Sequence, residues 1–311
     1  MLFEGNNCGA QGEVGNVQAG TWGGLAFKSY SAPPFQPDTP HISTHLSRFQ
    51  NVGLLMHWNR FRNNVDHRCL LPSKRYILID VSFSGAAWAF SRQPNNIKII
   101  TKWQADHAYN TDDAKTPTQL VYEEQNAANK NAPNGRTVSG WGYEVKPGEK
   151  PLKWFKLCLV DIACLEPELQ ESEQLIEAEN QLRCLNISAV DAAADFLQQL
   201  WNHTLRSIER ELGKATVESL PFRVVVTVPA IWPEHAMQRT QQAAKRAGIL
   251  KTRACGETKL DLVPEPEAAA LATLTEFKGR PGVRAGDVVT ICDCGGGTVV
   301  STIELSPLAH H

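Results

Sequence analysis

From residue 222 onward, strand-like and helix-like segments alternate along the chain. The β-branched run from Phe222 to Val228 is typical of a buried strand. A helical pattern follows from Pro233 to Gly248, and a second one at 267–277 lies between strand-like segments at 261–263 and 287–293. This alternation predicts an α/β fold, in which helices pack on a mostly buried sheet.

Upstream of this region, the segment from 75 to 103 predicts three successive strands. Tyr76–Asp80 has the pattern of a buried strand that ends in an acid, and strand-like runs follow at 84–90 and 96–103. The connections between them are short. Consecutive strands with short connections favour an antiparallel meander.

Apolar residues at helical spacing predict a long amphipathic helix over 189–212. Ser188 is the expected N-cap, Asp191 lies in the first turn where the helix dipole favours an acid, and Gly213 is a natural stop. The acidic segment 165–183 is also expected to be mostly helical.

The first 74 residues have a different character. Glycine and proline recur without sustained helical or strand periodicity, which predicts a flexible, unstructured or non-native leader. His41 and His45 have the i, i+4 spacing of a helical metal site, but no third ligand is evident nearby, so the leader interpretation is favoured. Residues 104–150 are polar and indicate a loop-rich excursion with one short strand near 119–122.

Composition excludes several classes of protein. The 311 residues include 42% hydrophobic residues, enough for a sizeable core, and carry a net charge of −2 that gives no footprint for nucleic acid. The apolar runs are strand-sized, far below the roughly 20 residues of a membrane span, and no signal peptide is visible. Eight scattered cysteines without paired CxxC units disfavour a zinc site and indicate a reducing, cytoplasmic location.

The segment that points most directly to chemistry follows the last predicted strand. Asp293 stands at the strand end, where it could contact the water shell of Mg²⁺. Gly295, Gly296 and Gly297 allow a tight turn that exposes several backbone N–H groups to an anion. The Thr298 hydroxyl adds a further donor. Taken alone, this segment is equally consistent with a tight hairpin.

In context, the segment resembles the second phosphate loop of the heat shock protein 70 family, within the actin, sugar-kinase and chaperone ATPase superfamily. Two further matches lie upstream in the same order: Val224–Ala230 resembles the family's strand and Val-Pro-Ala element, and Val263–Ala272 resembles its Glu-Pro-x-Ala-Ala-Ala segment. The helix between them contains Gln238-Arg239 and ends at Gly248, as such helices do. A chance match does not explain three ordered segments.

The resemblance implies a ribonuclease-H-like, actin-type ATPase fold, with the first lobe present and the second begun. The implied activity is ATP binding and Mg²⁺-assisted hydrolysis, with ATP or ADP and Mg²⁺ as cofactors. Phosphoryl transfer of this kind depends on positioning and electrostatic stabilisation. The implied catalytic residues are Glu265, which orients metal-bound water, and Asp293, which contacts the metal; Gly295–Thr298 bind phosphate.

The match to the family's first phosphate loop is incomplete. Asp80 is the implied first-loop acid and metal contact, and Ser82 and Ser84 are the implied hydrogen-bond donors. Phe83–Phe90 resembles the next strand of large, divergent fungal-type members. The turn at Val81-Ser82 is shorter than the family's and lacks its glycine and paired threonines, so it cannot wrap a phosphate tail in the same way.

Two other family features are also incomplete in this chain. The catalytic lysine is expected among Lys146, Lys153 and Lys156, but no motif selects one of them. Val300 stands where the family has an acid, and the residues up to His311 do not resemble the adenosine-binding segment. We therefore expect a truncated chain that hydrolyses ATP poorly.

The predicted organisation is a leader at 1–74, a first lobe at 75–285 with a loop-rich insertion at about 104–187, and the start of a second lobe at 286–311. Asp80, Glu265 and Asp293 are expected to converge in one cleft.

The expected partners are a nucleotide and, through the resemblance, co-chaperones or client proteins; no nucleic acid or membrane is expected. Two alternatives stay open. One is a non-catalytic fragment that acts as an interaction module. The other is a sugar or acetate kinase relative, which the Glu-Pro-x-Ala-Ala-Ala match disfavours.

Overall fold

The structure is a computed structural model of the chain, and it describes residues 19–22, 25–28, 75–81, 84–105, 113–123, 137–268, 288–293 and 299–304. The strands are β1 (Ala19–Trp22), β2 (Leu25–Lys28), β3 (Arg75–Val81), β4 (Ser84–Phe90), β5 (Gln93–Ile99), β6 (Lys115–Thr116), β7 (Gln119–Tyr122), β8 (Val138–Trp141), β9 (Leu152–Lys153), β10 (Phe222–Val228), β11 (Lys259–Pro264), β12 (Val288–Asp293) and β13 (Val299–Glu304). The helices are α1 (Pro167–Gln170), α2 (Glu173–Cys184), α3 (Ala189–Leu212), α4 (Lys214–Glu218) and α5 (Glu234–Arg246).

Within these residues, the largest sheet has the strand order β11-β10-β3-β4-β5, and β6 pairs with the start of β4. Strands β3, β4 and β5 are antiparallel neighbours, which confirms the predicted meander. Strand β10 runs parallel to β3, and β11 runs parallel to β10. The carboxyl ends of β3, β10 and β11 therefore lie at one edge of the sheet.

The two faces of this sheet bury different residues. On one face, Val224 and Val226 of β10 and Trp88 of β4 join the main core with helices α3 and α5, which pack against each other. On the other face, Val225 packs with Ala87 and Val263. This alternation follows from the two-residue period of a strand and accounts for the unbroken apolar run in β10.

Helix α3 forms the centre of the helical layer and has the predicted bounds. Ser188 Oγ accepts a hydrogen bond from the Asp191 backbone N–H at 3.1 Å, and the Asp191 carboxylate accepts one from the Ser188 N–H at 3.1 Å. This reciprocal capping box satisfies two N–H groups that the helix itself cannot bond. Gly213 ends the helix at φ +81°, a conformation that favours glycine.

Replacing Ser188 by alanine is expected to lower the free energy of unfolding by about 1 kcal/mol, because the cap acceptor for Asp191 N–H is lost. Urea unfolding followed by circular dichroism measures the change. Ser188→Thr keeps the hydroxyl and is expected to stay near the wild-type value. Equal stability of the alanine and threonine variants would contradict the role of the cap.

The region after the meander contains more strand than the sequence indicated. Strand β7 has the predicted bounds, but β8 and β9 pair with it to form a small sheet that we did not predict. Its residues reach the main core: the Trp141 ring lies 5.8 Å from the Phe196 ring of α3. Strand β5 also begins three residues and ends four residues earlier than the predicted 96–103, because the chain turns at residues 91–92.

Part of the leader is described. Strands β1 and β2 form an antiparallel hairpin, which we did not predict, and β2 lies against β13. The other leader residues, including His41 and His45, lie outside the described ranges. Among the described helices, none has the length and apolar character needed to cross a membrane.

Candidate functional site

Two acidic residues lie at the shared carboxyl edge of the central sheet. In the register, Ile79 of β3 lies opposite Val226, and Asp80 is the next residue. Pro264 ends β11 opposite Val228, and Glu265 follows it directly. Because parallel strands end at the same edge of a sheet, the backbone brings both residues to this edge. The side chain of Asp80 lies outside what the structure describes.

Glu265 forms an ion pair with Lys156. The Lys156 Nζ lies 2.7 Å from Glu265 Oε1, and the two side chains are only 15% and 14% exposed. Lys156 immediately precedes a 3₁₀ turn, Leu157–Leu159. Phe155 and Leu159 are buried on either side and anchor this segment in the core. An ammonium group held in this way is suited to contact an anionic ligand at the sheet edge.

An aromatic ring completes the surroundings of Lys156. Its Nζ lies 5.5 Å from the ring centroid of Trp232, within the range of a cation–π contact. Trp232 belongs to the loop between β10 and α5, so it comes from the same sheet edge as Glu265. Beside them is a pocket lined largely by apolar side chains: Phe155, Leu159, Ala193, Leu197, Val228, Trp232 and Ala243, with Lys156, Thr227 and Thr240.

The structure distinguishes among the three candidate lysines. Lys146 and Lys153 are exposed, whereas Lys156 is largely enclosed and contacts the predicted site residue Glu265. Sequence reasoning did not select Lys156, because its carboxylate partner lies 109 positions away. No local pattern separates Lys156 from Lys146 and Lys153, so the sequence carried no signal for this pairing.

The first predicted phosphate loop is a very short connection. Val81 of β3 pairs with Ser84 of β4, so two residues join the strands. Ser84 is fully buried, and its hydroxyl lies 2.9 Å from the hydroxyl of Thr118. The hydroxyl is therefore engaged inside the protein, and its predicted role with phosphate stays a prediction. Ser82 lies outside the described residues.

The second predicted loop is described only at its ends. Asp293 ends β12 and pairs with Val299, the first residue of β13. Gly295, Gly296, Gly297 and Thr298 lie outside the described residues. Strands β12 and β13 form a two-stranded sheet of their own. The convergence of Asp293 with Asp80 and Glu265 stays a prediction.

The described residues contain no group of three or more His, Cys, Asp or Glu side chains positioned to hold a metal ion. Fold and site together define an α/β protein whose sheet edge carries a lysine–glutamate pair.

Comparison with known proteins relates this chain to the 70-kDa heat shock proteins. It is 25% identical to human heat shock 70 kDa protein 12A over 217 residues, which is 67% of this chain. It is also 25% identical to human heat shock 70 kDa protein 12B over 275 residues, or 71% of this chain. The chaperone protein HscA homolog of Actinobacillus pleuropneumoniae is 32% identical over 154 residues, or 48% of this chain.

The chain spans only part of each relative. The matched region covers 30% of human protein 12A, 38% of human protein 12B and 21% of the HscA homolog. No protein-family model matches the chain. The relationship to this group of chaperones is thus supported. These partial matches do not show that the chain has the activity of a full-length relative.

Proposed function

We propose that this chain forms a nucleotide-binding domain of the actin-type ATPase kind and binds Mg²⁺-ATP at the carboxyl edge of its sheet. The observation that carries the proposal is the enclosed Lys156–Glu265 pair at that edge. The relationship to the 70-kDa heat shock proteins supports the same function.

The strand order supports the ribonuclease-H-like part of this proposal. Three antiparallel strands, β3, β4 and β5, are extended at β3 by two parallel strands, β10 and β11. Ligands of α/β sheets bind at the carboxyl ends of parallel strands, which is the edge that carries Glu265. In this proposal residues 75–285 are the first lobe, including the insertion, and 286–311 begin the second.

The roles of the residues follow from their charge and position. Lys156 donates to a phosphate oxygen and offsets its negative charge. Glu265 accepts a hydrogen bond from a water that it orients, while Asp80 and Asp293 supply carboxylate oxygens. Residues 295–298 donate backbone N–H groups to phosphate. These oxygen donors fit Mg²⁺, which would neutralise phosphate charge when bound.

We further propose that turnover is slow. The connection between β3 and β4 has two residues, and the Ser84 hydroxyl points to Thr118, so this turn offers few donors to a phosphate tail. A phosphate held by one loop alone is less well oriented. Misplacement by about 1 Å can reduce a reaction rate on the order of a hundredfold.

The short turn also supports a second candidate, a non-catalytic module that retains the fold and acts through protein contacts. Co-chaperones or client proteins are proposed as partners on the strength of the relationship alone. A cytoplasmic location is proposed from the free cysteines, among them Cys158 and Cys184 in the described part of the chain.

Calorimetric titration with Mg²⁺-ATP, run beside a turnover assay, tests the proposal. We expect measurable binding that requires Mg²⁺, together with slow hydrolysis. Asp293→Ala is expected to weaken binding, because it removes a carboxylate from the metal's surroundings. Circular dichroism of each variant shows that the protein is folded.

The outcomes separate the candidates. Folded protein without Mg²⁺-ATP binding would contradict the nucleotide site and favour the interaction module. Tight binding with rapid turnover that disappears in Asp293→Ala would show a complete site and contradict the proposed impairment.

A further inference from the structure

The segment that carries Lys156 is attached to helix α5 by a cluster around Asp161. The Arg239 guanidinium donates to the Leu159 carbonyl at 2.8 Å and to Asp161 Oδ1 at 2.7 Å. The Asp161 backbone N–H donates to His235 Nε2 at 3.1 Å. The Asp161 carboxylate therefore accepts a hydrogen bond from Arg239 of α5, and the Asp161 backbone N–H donates one to His235 of the same helix. We define Asp161, His235 and Arg239 as the Asp161 cluster.

A chain of hydrogen bonds leads from this cluster to Lys156. The Leu159 N–H donates to the Lys156 carbonyl at 3.1 Å, and the Leu159 carbonyl receives Arg239. The Val160 N–H closes the same turn on the Leu157 carbonyl at 3.2 Å. The turn is thus tied at its start to Lys156 and at its end to Arg239.

Helix α5 also determines where Trp232 lies. The chain leaves β10, passes Trp232, and enters α5 at Glu234, with His235 and Arg239 one turn apart on the helix. The cluster therefore joins the element that carries Lys156 to the element that follows Trp232. Any displacement of the turn from α5 would change the distance from Lys156 to both Trp232 and Glu265.

Electrostatics favour the ionised form of Asp161 within this cluster. The hydrogen bond from Arg239, together with the positive charge of its guanidinium, lowers the pKa of the Asp161 carboxyl below its usual value. The carboxylate is therefore available as an acceptor under ordinary conditions.

We propose that Asp161, through Arg239, positions Lys156 against Glu265. Asp161 is thus a positioning residue, and only its effect on nucleotide binding rests on the proposed function. The competing explanation is that burial of Phe155 and Leu159 alone holds Lys156 in place.

Site-resolved lysine labelling tests the positioning without any nucleotide. Folded protein is treated briefly with an amine-acetylating reagent, and mass spectrometry gives the modified fraction at each lysine. Exposed Lys153, three residues away, is the internal reference. In Asp161→Ala and Arg239→Met, the labelling rate of Lys156 relative to Lys153 is expected to rise about threefold to fivefold, a change that loss of a partly exposed ion-pair network can produce.

Arg246→Met is the matched control. Arg246 also lies on α5 and forms a 2.6 Å ion pair, with Asp191, but this pair leads to the start of α3 and not to Lys156. We expect its relative labelling to stay at the wild-type value. Asp161→Asn keeps an oxygen acceptor for Arg239 and is expected to give an intermediate increase. It also serves as the milder variant if Asp161→Ala folds poorly.

Unchanged labelling of Lys156 in both Asp161→Asn and Arg239→Met would overturn the proposal and assign the positioning to Phe155 and Leu159. An equal rise in Arg246→Met would overturn it as well, since general loosening of α5 would then be the cause. Mg²⁺-ATP titration of the same variants separates this inference from the proposed function. If the labelling of Lys156 rises in the variants but none of the proteins binds nucleotide, the positioning role of Asp161 is supported and the proposed nucleotide site is contradicted.

Discussion

Lys156→Met is expected to lower the free energy of unfolding by about 2–3 kcal/mol. The substitution takes away the ammonium group 2.7 Å from Glu265, whose carboxylate is only 14% exposed. Breaking a buried ion pair costs about 3–5 kcal/mol, because the remaining charge stays in a poorly solvated place. The lower estimate reflects the partial exposure of this pair. Methionine retains most of the side-chain volume, so the change reports on charge.

A double-mutant cycle measures this effect. Lys156→Met combined with Glu265→Gln removes both charges and is expected to recover most of the lost stability, giving a coupling energy of about 2 kcal/mol in urea unfolding. The control is Arg223→Met, which removes the more exposed ion pair between Arg223 of β10 and Asp261 of β11. Its expected loss is at most about 1 kcal/mol. A coupling energy near zero would contradict the energetic role of the Lys156–Glu265 pair.

The same variant bears on the proposed nucleotide site. A hydrogen bond between charged groups contributes about 1.5–3 kcal/mol, so Lys156→Met is expected to weaken Mg²⁺-ATP binding roughly 10- to 100-fold. Arg223→Met should leave the affinity unchanged. A loss of stability without a change in affinity would show that Lys156 does not contact the nucleotide. It would still support the energetic role of the Lys156–Glu265 pair.

Acidification is expected to destabilise the protein through His203 of α3. This side chain is 3% exposed, and its ring stacks on that of Trp103 at a centroid distance of 4.6 Å. Its Nε2 has no hydrogen-bond partner among the described residues. Burial lowers the pKa of His203 to about 4, and the positive charges of Arg206 and Arg210 act in the same direction, against a hydrogen bond with the Thr101 backbone.

The direction of the pH effect follows from the difference between the His203 pKa in the folded protein and that in the unfolded chain. In the unfolded chain the His203 pKa is near 6.5, so below that pH the unfolded state takes up a proton that the folded state does not. As the pH is lowered from about 6.5 to about 4, the free energy of unfolding therefore falls by about 3 kcal/mol because of His203. Outside that window the contribution of His203 does not change with pH. Below pH 4 both states are protonated.

Urea unfolding of the wild type and of His203→Phe across this pH range isolates the effect. Phenylalanine preserves the ring in the aromatic cluster but cannot take up a proton, so the stability difference between the two proteins should depend on pH. The interval from pH 6.5 to 5 is the most informative, because few carboxylates titrate there. Parallel pH profiles for the two proteins would contradict the buried neutral state of His203.

How well each element was predicted depends on how local its signal is. Helix α3 was predicted to the residue, since an uninterrupted apolar stripe, a capping box and a glycine stop all lie within the segment. The meander was predicted for the same reason, although β5 was displaced because the turn at 91–92 carries no glycine. Strand β8, Val-Ser-Gly-Trp, was missed because four residues with glycine show no strand periodicity.

The candidate site was predictable only in part. Asp80 and Glu265 lie at or just after the ends of strand-like runs, and the rule that parallel strands share an edge places both residues at one edge of the sheet. The sequence could not select Lys156 from the three candidate lysines, because its partner Glu265 lies 109 positions further along the chain. Trp232 had no local signal, since a tryptophan is more often a core residue than a neighbour of a cation.

The pairing of β3 with β10 has a consequence for how the chain acquires its fold during synthesis. Arg75 lies opposite Phe222, so the middle of the sheet joins positions separated by 147 residues, the difference between 222 and 75. At about 5–20 residues per second, a ribosome needs roughly 7–30 s to supply the second strand after the first. Throughout that interval the inner edge of β3 has no native neighbour, and an open strand edge is prone to pair with other chains. A nascent chain of this protein therefore passes through a stage in which it resembles the aggregation-prone substrates that chaperones protect.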